Sequence, residues 1–275
     1  MTATEEKGQE SDVPFYLVLK HDYVEKKSLN MHVGMDVAFN SLEKRKVASN
    51  ISNSPIELNG QFYTFNLLVS FADRIELYSD LGAIDTMKFI AREPGLKTTL
   101  QSEDVFLRGA GVTVTLFSFG NGLCLFSDSK YRGTGEFKID NVAHSPDLFP
   151  GANTSQVISN SQAKYEEWQT ALGLSKELFF RKNSTKKFII FLGGIYSEIE
   201  SSAKGSVAGM SEYTDLLIEW TLDFDFGTMK SKDNIGGFTG FSFISNGEGK
   251  SSLFVEAQCR FIDELSFNLR TGYRF

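Results

Sequence analysis

Apolar and polar side chains alternate through ELSFNLRTGYRF, residues 264–275. Leu265, Phe267, Leu269, Thr271, Tyr273 and Phe275 share one parity; Ser266, Asn268, Arg270, Gly272 and Arg274 share the other. A strand sends successive side chains to opposite faces, so this segment predicts one apolar and one polar face. The same rhythm runs through 215–227, where Leu216, Ile218, Trp220, Leu222, Phe224 and Phe226 oppose Leu217, Glu219, Thr221, Asp223, Asp225 and Gly227. It recurs at 63–71 and at 253–261.

Twelve strands follow from this pattern: 15–24, 31–39, 62–71, 74–83, 109–119, 122–131, 166–178, 186–199, 213–226, 234–244, 252–261 and 264–275. Residues 1–13 read as a disordered tail ahead of one barrel domain, 14–275. The turns at Ala72-Asp73, Gly120-Asn121 and Ile262-Asp263 are short, whereas 40–61, 84–108 and 132–162 are long. If the long gaps hide strands, the count rises to fourteen or sixteen; EFKIDNV (136–142) is one candidate. With twelve strands and a periplasmic C-terminus, the short turns fall outside the cell, against the habit of outer-membrane barrels. No loop is therefore assigned to a side.

Period two fits a soluble sandwich or lipocalin-like barrel as well as a membrane barrel. Three features favour an all-β, antiparallel transmembrane β-barrel. Several strands exceed the common ~5 to 6 residues of soluble sheets. Aromatic residues, among them Tyr63, Phe71, Trp168, Tyr213, Phe226, Tyr273 and Phe275, gather near strand ends as an interfacial girdle would. The polar faces mix small residues with both charge signs.

The rest of the composition agrees. The longest apolar stretch, FIIFLGGIY (188–196), suits a spanning strand and is too short for a spanning helix. Lys and Arg number 28 against 35 Asp and Glu, a net charge of -7 with no basic cluster, which argues against a nucleic-acid partner. MTATEEKGQESDV carries no secretory signal. Outer-membrane placement therefore reads the sequence as a mature chain with Met1 added.

Catalytic chemistry is not expected. His21, His32 and His144 are the histidines; His32 and Asp36 share a strand face but stand ~13 Å apart, too far for a base and its orienter. No zinc spacing or phosphate-binding glycine motif occurs, and GFTGF (237–241) reads as strand packing. No metal or other cofactor is expected. Cys124 and Cys259 fall on opposite faces, which predicts two free thiols.

Charged residues on spanning strands belong on the wet side, since Arg or Lys facing lipid costs ~2 to 4 kcal/mol at mid-depth. The predicted lining is Asp36, Arg74, Glu76, Asp80, Glu167, Glu219, Asp223, Asp225, Glu256, Arg260, Arg270 and Arg274. Eight acids against four bases predict a weakly cation-selective lumen, with Glu219, Asp223 and Asp225 its strongest field source.

Several segments together resemble the chlamydial major outer membrane porins. KYEEWQTALGLSKEL (164–178) is similar to that family's Glu-Trp-Gln strand, and SLFVEAQCRFIDELSFNLRTGYRF (252–275) to its terminal hairpin. DRIELYSDLGA (73–83) and AGVTVTLFSFGNGLCLFSDSKYR (110–132) resemble further hairpins of the family. The resemblance implies an outer-membrane porin of a Chlamydia-like bacterium, embedded in outer membrane lipid and passing small hydrophilic solutes and ions by diffusion. It implies recognition of Phe275 by the barrel-insertion machinery, and a homotrimer. The chain is shorter than the family's members and has two cysteines, so no cross-linked envelope network is expected. The alternative function is a membrane barrel with a closed lumen and a structural or adhesive role in the envelope. A soluble ligand-binding protein and an outer-membrane enzyme complete the readings.

Overall fold

A computed structural model of the chain describes residues 31–50, 55–71, 74–93, 95–119, 122–145, 153–179, 186–213, 216–246, 251–261 and 266–274. The expected tail 1–13, the strand at 15–24, the three expected two-residue turns and Phe275 lie outside the described residues.

Thirteen described strands form one antiparallel sheet: β1 (Met31–Ser49), β2 (Pro55–Phe71), β3 (Ile75–Glu93), β4 (Leu96–Gln101), β5 (Val105–Phe119), β6 (Leu123–Thr134), β7 (Asn141–Ser145), β8 (Asn153–Phe179), β9 (Lys186–Tyr213), β10 (Leu216–Ser231), β11 (Ile235–Asn246), β12 (Ser252–Phe261) and β13 (Ser266–Arg274). Ten of them close a ring in the order β1, β2, β3, β5, β6, β8, β9, β11, β12, β13 and back to β1. The seam runs from Gly34↔Arg274 to Leu42↔Ser266. Closure leaves this ring no unpaired edge, as a sheet in lipid requires.

The ring puts Met31 and Arg274 at the same end. There the chain also reverses tightly, with Arg74 N donating to Phe71 O at 3.0 Å and Gly122 N to Phe119 O at 3.1 Å. The reversals after Phe71 and Phe119 thus share the end that holds the strand termini, the periplasmic end by the habit of such barrels, whereas Arg260↔Ser266 puts the β12–β13 connection at the opposite end.

The expected loops 40–61, 84–108 and 132–162 hold ladder instead. β1 and β2 pair up to Ala48↔Pro55, β4 pairs the outer part of β3, and β7 pairs β4. β7 overlaps the strand suspected around 136–142. β8 begins at Asn153 and pairs with β9 over nearly its whole length. A second ring therefore stands on the first, through β1, β2, β3, β4, β7, β8, β9 and β10. At β8 it is joined not by β7 itself but by the segment just before it, through the Phe137↔Ala163 bridge and Ser161 Oγ, which takes Ile139 N at 3.0 Å and gives to Ile139 O at 3.1 Å.

Strand β9 shows how the surroundings change with height. In the lower ring its outward side chains are apolar: Ile190, Leu192 and Tyr196 are exposed. Above Tyr196 the same parity carries Glu198, Glu200 and Lys204, while Ile199, Ala203 and Val207 turn inward and are buried. On β8, Trp168, Leu172 and Leu174 lie below and Glu166 and Lys164 above. Tyr131, Trp168 and Tyr196 sit on adjacent strands at this boundary, the Tyr131 and Trp168 rings 6.5 Å apart. Val33, Met35, Val37, Phe65, Leu67, Leu77, Val255 and Leu269 continue the exposed apolar belt. The chain is an outer-membrane β-barrel protein: apolar outside and polar inside in the bilayer, the reverse above it.

Candidate functional site

The interior of the lower ring combines a girdle of charged and polar side chains with a buried apolar cluster that includes Phe126, Phe191, Ile195 and Phe238. On the seam, Asp36 accepts from Asn66 Nδ2 at 2.7 Å and pairs with Arg270. Arg274 Nη2 lies 3.0 Å from Glu76 Oε2, which also accepts from Ser70 Oγ at 3.2 Å. Across the barrel Glu167 is a hub. It pairs with Arg132, takes Gln169 Nε2, and accepts Tyr165 Oη at 2.8 Å and Ser197 Oγ at 3.0 Å. Arg260 Nη1 donates to Gln169 Oε1 at 2.9 Å, linking β12 to β8. Asp128 accepts Thr113 Oγ1 at 2.6 Å and Tyr78 Oη at 3.0 Å.

Apolar layers bound this girdle. Above it, Phe62, Ile84, Phe89, Leu107, Tyr165 and Val207 belong to one buried cluster drawn from both rings. The two regions meet where the Arg132 guanidinium stands 4.2 Å over the Phe62 ring, itself 5.8 Å from Tyr165. Toward the periplasm, Ile189, Ile244 and Phe254 form a smaller cluster, with Arg270 and Arg274 over the Phe254 ring at 5.6 and 5.4 Å. A cavity of about 100 Å³ lies within the girdle, between these layers.

Eight of the twelve residues expected to line a lumen face this interior and are buried: Asp36, Glu76, Asp80, Glu167, Glu256, Arg260, Arg270 and Arg274. The other four lie elsewhere. Arg74 is exposed at the periplasmic turn. Glu219, Asp223 and Asp225 are exposed on the outer side of β10, whose Phe224 and Met229 point inward to the apolar cluster. Strand β10 belongs only to the upper ring, where water lies outside, so its apolar parity turns in. There Asp223 accepts Ser206 Oγ at 2.6 Å and Asp225 accepts Gly227 N at 2.7 Å. The expected field source is therefore not in the interior.

Sequence reasoning missed Asp128, Lys130 and Arg132. All three share one parity of β6, opposite Leu125 and Tyr131, so the rule applied to other strands was sufficient to find them. Asn66, Gln169 and Tyr165 carried no charge to mark them. Among the described residues, no three histidine, cysteine or carboxylate side chains converge on one point.

No protein-family model matches the chain, and no curated protein does. Solved structures do. The outer membrane protease OmpT from Escherichia coli superposes with a TM-score of 0.50 over 91% of this chain and 99% of its own, at 8% identity. The translocator domain of the autotransporter NalP from Neisseria meningitidis gives 0.41 over 89% and 88%, also at 8% identity. At such identity the first likeness is one of fold, that of an outer-membrane barrel.

Proposed function

We propose that this chain is an outer-membrane β-barrel with a closed lumen, whose role is structural or adhesive in the envelope. The observation that supports this reading is the buried apolar cluster above the girdle, drawn from both rings, with Phe62, Phe89 and Tyr165 among its fully buried members. Water and ions do not cross a close-packed apolar layer. General diffusion of small hydrophilic solutes would need this layer and the girdle to part together. The reading assigns no catalysis to the chain.

The resemblance to the chlamydial major outer membrane porins extends the proposal. Its segments 164–178 and 252–275 fall largely on β8, β12 and β13, all wall strands of the lower ring. The chain would then be a closed relative of those porins, inserted by the barrel-assembly machinery and assembled as a homotrimer. Chemical cross-linking in native membranes tests the trimer.

Planar-bilayer recording of refolded protein tests the closed lumen. Folding is verified by slow electrophoretic migration without heating. Folded protein with no steady conductance steps is the expected result. Steady unitary steps overturn the closed reading and restore the diffusion porin.

A further inference from the structure

Strand β10 outruns its neighbour at the top of the upper ring. It pairs with β1 only from Val47↔Ser231 to Ser49↔Met229, and Asn50 N donates to Thr228 O at 3.2 Å just above. From Leu216 to Asp225 it pairs with β9 alone. Along that stretch, about 30 Å of strand, the edge turned away from β9 has no backbone partner among the described residues. The stretch is held extended from its inner side. Trp220 Nε1 donates to Ser211 Oγ on β9 at 3.0 Å, and a Cβ on Gly209 would stand 2.2 Å from the Trp220 ring, so the indole lies against the β9 backbone. An ordered, open strand edge is a template for another strand.

The two faces beside this edge say what that strand carries. Above Lys204, the outward positions of β8, β9 and β10 hold Glu212, Glu219 and Asp223 and no base. None of the three carboxylates is in an ion pair among the described residues; Asp223 accepts Ser206 Oγ. The segments 51–54, 146–152 and 214–215, which join strands at this end, add Asp147 and Asp215 and neither lysine nor arginine. Exposed Met210 lies beside Glu212, and a recess of about 290 Å³ opens there, an apolar wall for a lysine stem and a carboxylate for its head. On the inner face, Ile218, Trp220 and Leu222 are only half-buried.

We propose that the free edge of β10 from Leu216 to Asp225 takes an added strand from a protein partner, an extended segment in which basic and apolar side chains alternate. Its outward side chains would stand beside Glu219 and Asp223, and its inward ones beside Trp220 and Leu222. A second copy of this chain would set the same acids against each other, which charge disfavours. The upper end of β8, Asn153–Ser159, is also open on one side but holds no charged residue to select a partner. The proposal rests on the adhesive reading above and gives it a partner class.

The test is titration of the refolded full chain in uncharged detergent with a peptide of alternating lysine and valine, about as long as the edge, with empty micelles as blank. Saturable binding of one peptide per chain is expected. A peptide of alternating glutamate and valine, and the lysine peptide N-methylated along one backbone edge, are each expected to bind about tenfold more weakly or worse. The variant Glu212→Gln/Glu219→Gln/Asp223→Asn is expected to lose a similar factor. The variant Glu166→Gln/Glu198→Gln/Glu200→Gln, with the same charge removed lower on the wall, keeps full binding. No binding of the lysine peptide to folded chain overturns the proposal. Equal binding of the N-methylated peptide overturns strand addition, and equal loss in the two variants overturns the location. A dimer of folded chains that blocks the peptide assigns the edge to a second copy. Bilayer conductance plays no part in this readout, so a closed barrel that binds no peptide fails here alone, and a conducting barrel that binds it fails only the closed-lumen reading.

Discussion

Arg270 on the last strand reaches Asp36 on the first, 234 positions earlier, across the seam that closes the barrel. Both side chains are buried, so removing one leaves a charge without its partner. Asp36→Ala or Arg270→Ala alone is expected to cost about 3–5 kcal/mol. The double variant Asp36→Leu/Arg270→Met is expected to recover most of that loss, because a buried pair exchanged for apolar groups is often close to neutral. Urea unfolding in detergent, analysed as a double-mutant cycle, measures both. Additive single losses would show that the pair does not act as a unit.

Gly82 on β3 is a second point where the seal has no slack. A Cβ there would stand 1.8 Å from the Tyr63 carbonyl oxygen, a backbone atom that cannot swing aside. Gly82→Ala is expected to destabilise by at least ~1–3 kcal/mol through overpacking. Gly135→Ala, with nothing within 4 Å of the new atom, should stay within ~0.5 kcal/mol. Unfolding midpoints of the two variants provide the comparison; equal midpoints would mean the β2–β3 ladder is looser than drawn.

Neither cysteine is in a disulfide; Cys124 is buried and Cys259 is exposed on the lipid-facing side. Cys124 Sγ lies 3.5 Å from Ser118 Oγ. Intact-mass analysis after treatment with an apolar maleimide should therefore find Cys259 modified in the folded protein and Cys124 protected until denaturation. A 124–259 disulfide, or equal labelling of both before unfolding, contradicts the assigned faces.

Neutralising the outer acids tests the corrected phase of β10. Glu219→Gln, Asp223→Asn and Asp225→Asn should each shift stability by no more than ~0.5 kcal/mol, as exposed substitutions do. The amides retain acceptors for Ser206 Oγ and Gly227 N. A loss of several kcal/mol from any one of them would place it in the interior.

That phase error shows what alternation does and does not say. Period two separates two faces of a strand and is silent on which face is wet. In the lipid zone the assumption that charge points inward works, and it found Asp36, Glu76, Glu167 and Glu256. On β10 the same assumption put Glu219 inside and Trp220 outside. Length was hidden for a related reason. Asn153 to Gln162 offers Asn, Thr, Ser and Gln with little apolar contrast, yet this stretch carries the upper ladder of β8. Bulges conceal phase further: Thr86, Asn160 and Gly227 have positive φ near register shifts, and an extra residue exchanges the parities. Trp168 was assigned to a strand end and sits well inside a long strand, because an interfacial aromatic marks the edge of the bilayer rather than the end of a ladder.

The switch from apolar to charged on the outside of β8 and β9 fixes the molecule's height. If the barrel sank by two residues, Glu198 and Glu166 would approach hydrocarbon. If it rose by as much, part of the belt that holds Leu192 and Leu172 would meet water. The upper ring resists the first displacement and the lower ring the second, so motion along the membrane normal meets a restoring force in both directions. In a bilayer of different thickness the lipid must therefore stretch or thin around the wall, because the wall has nowhere else to go.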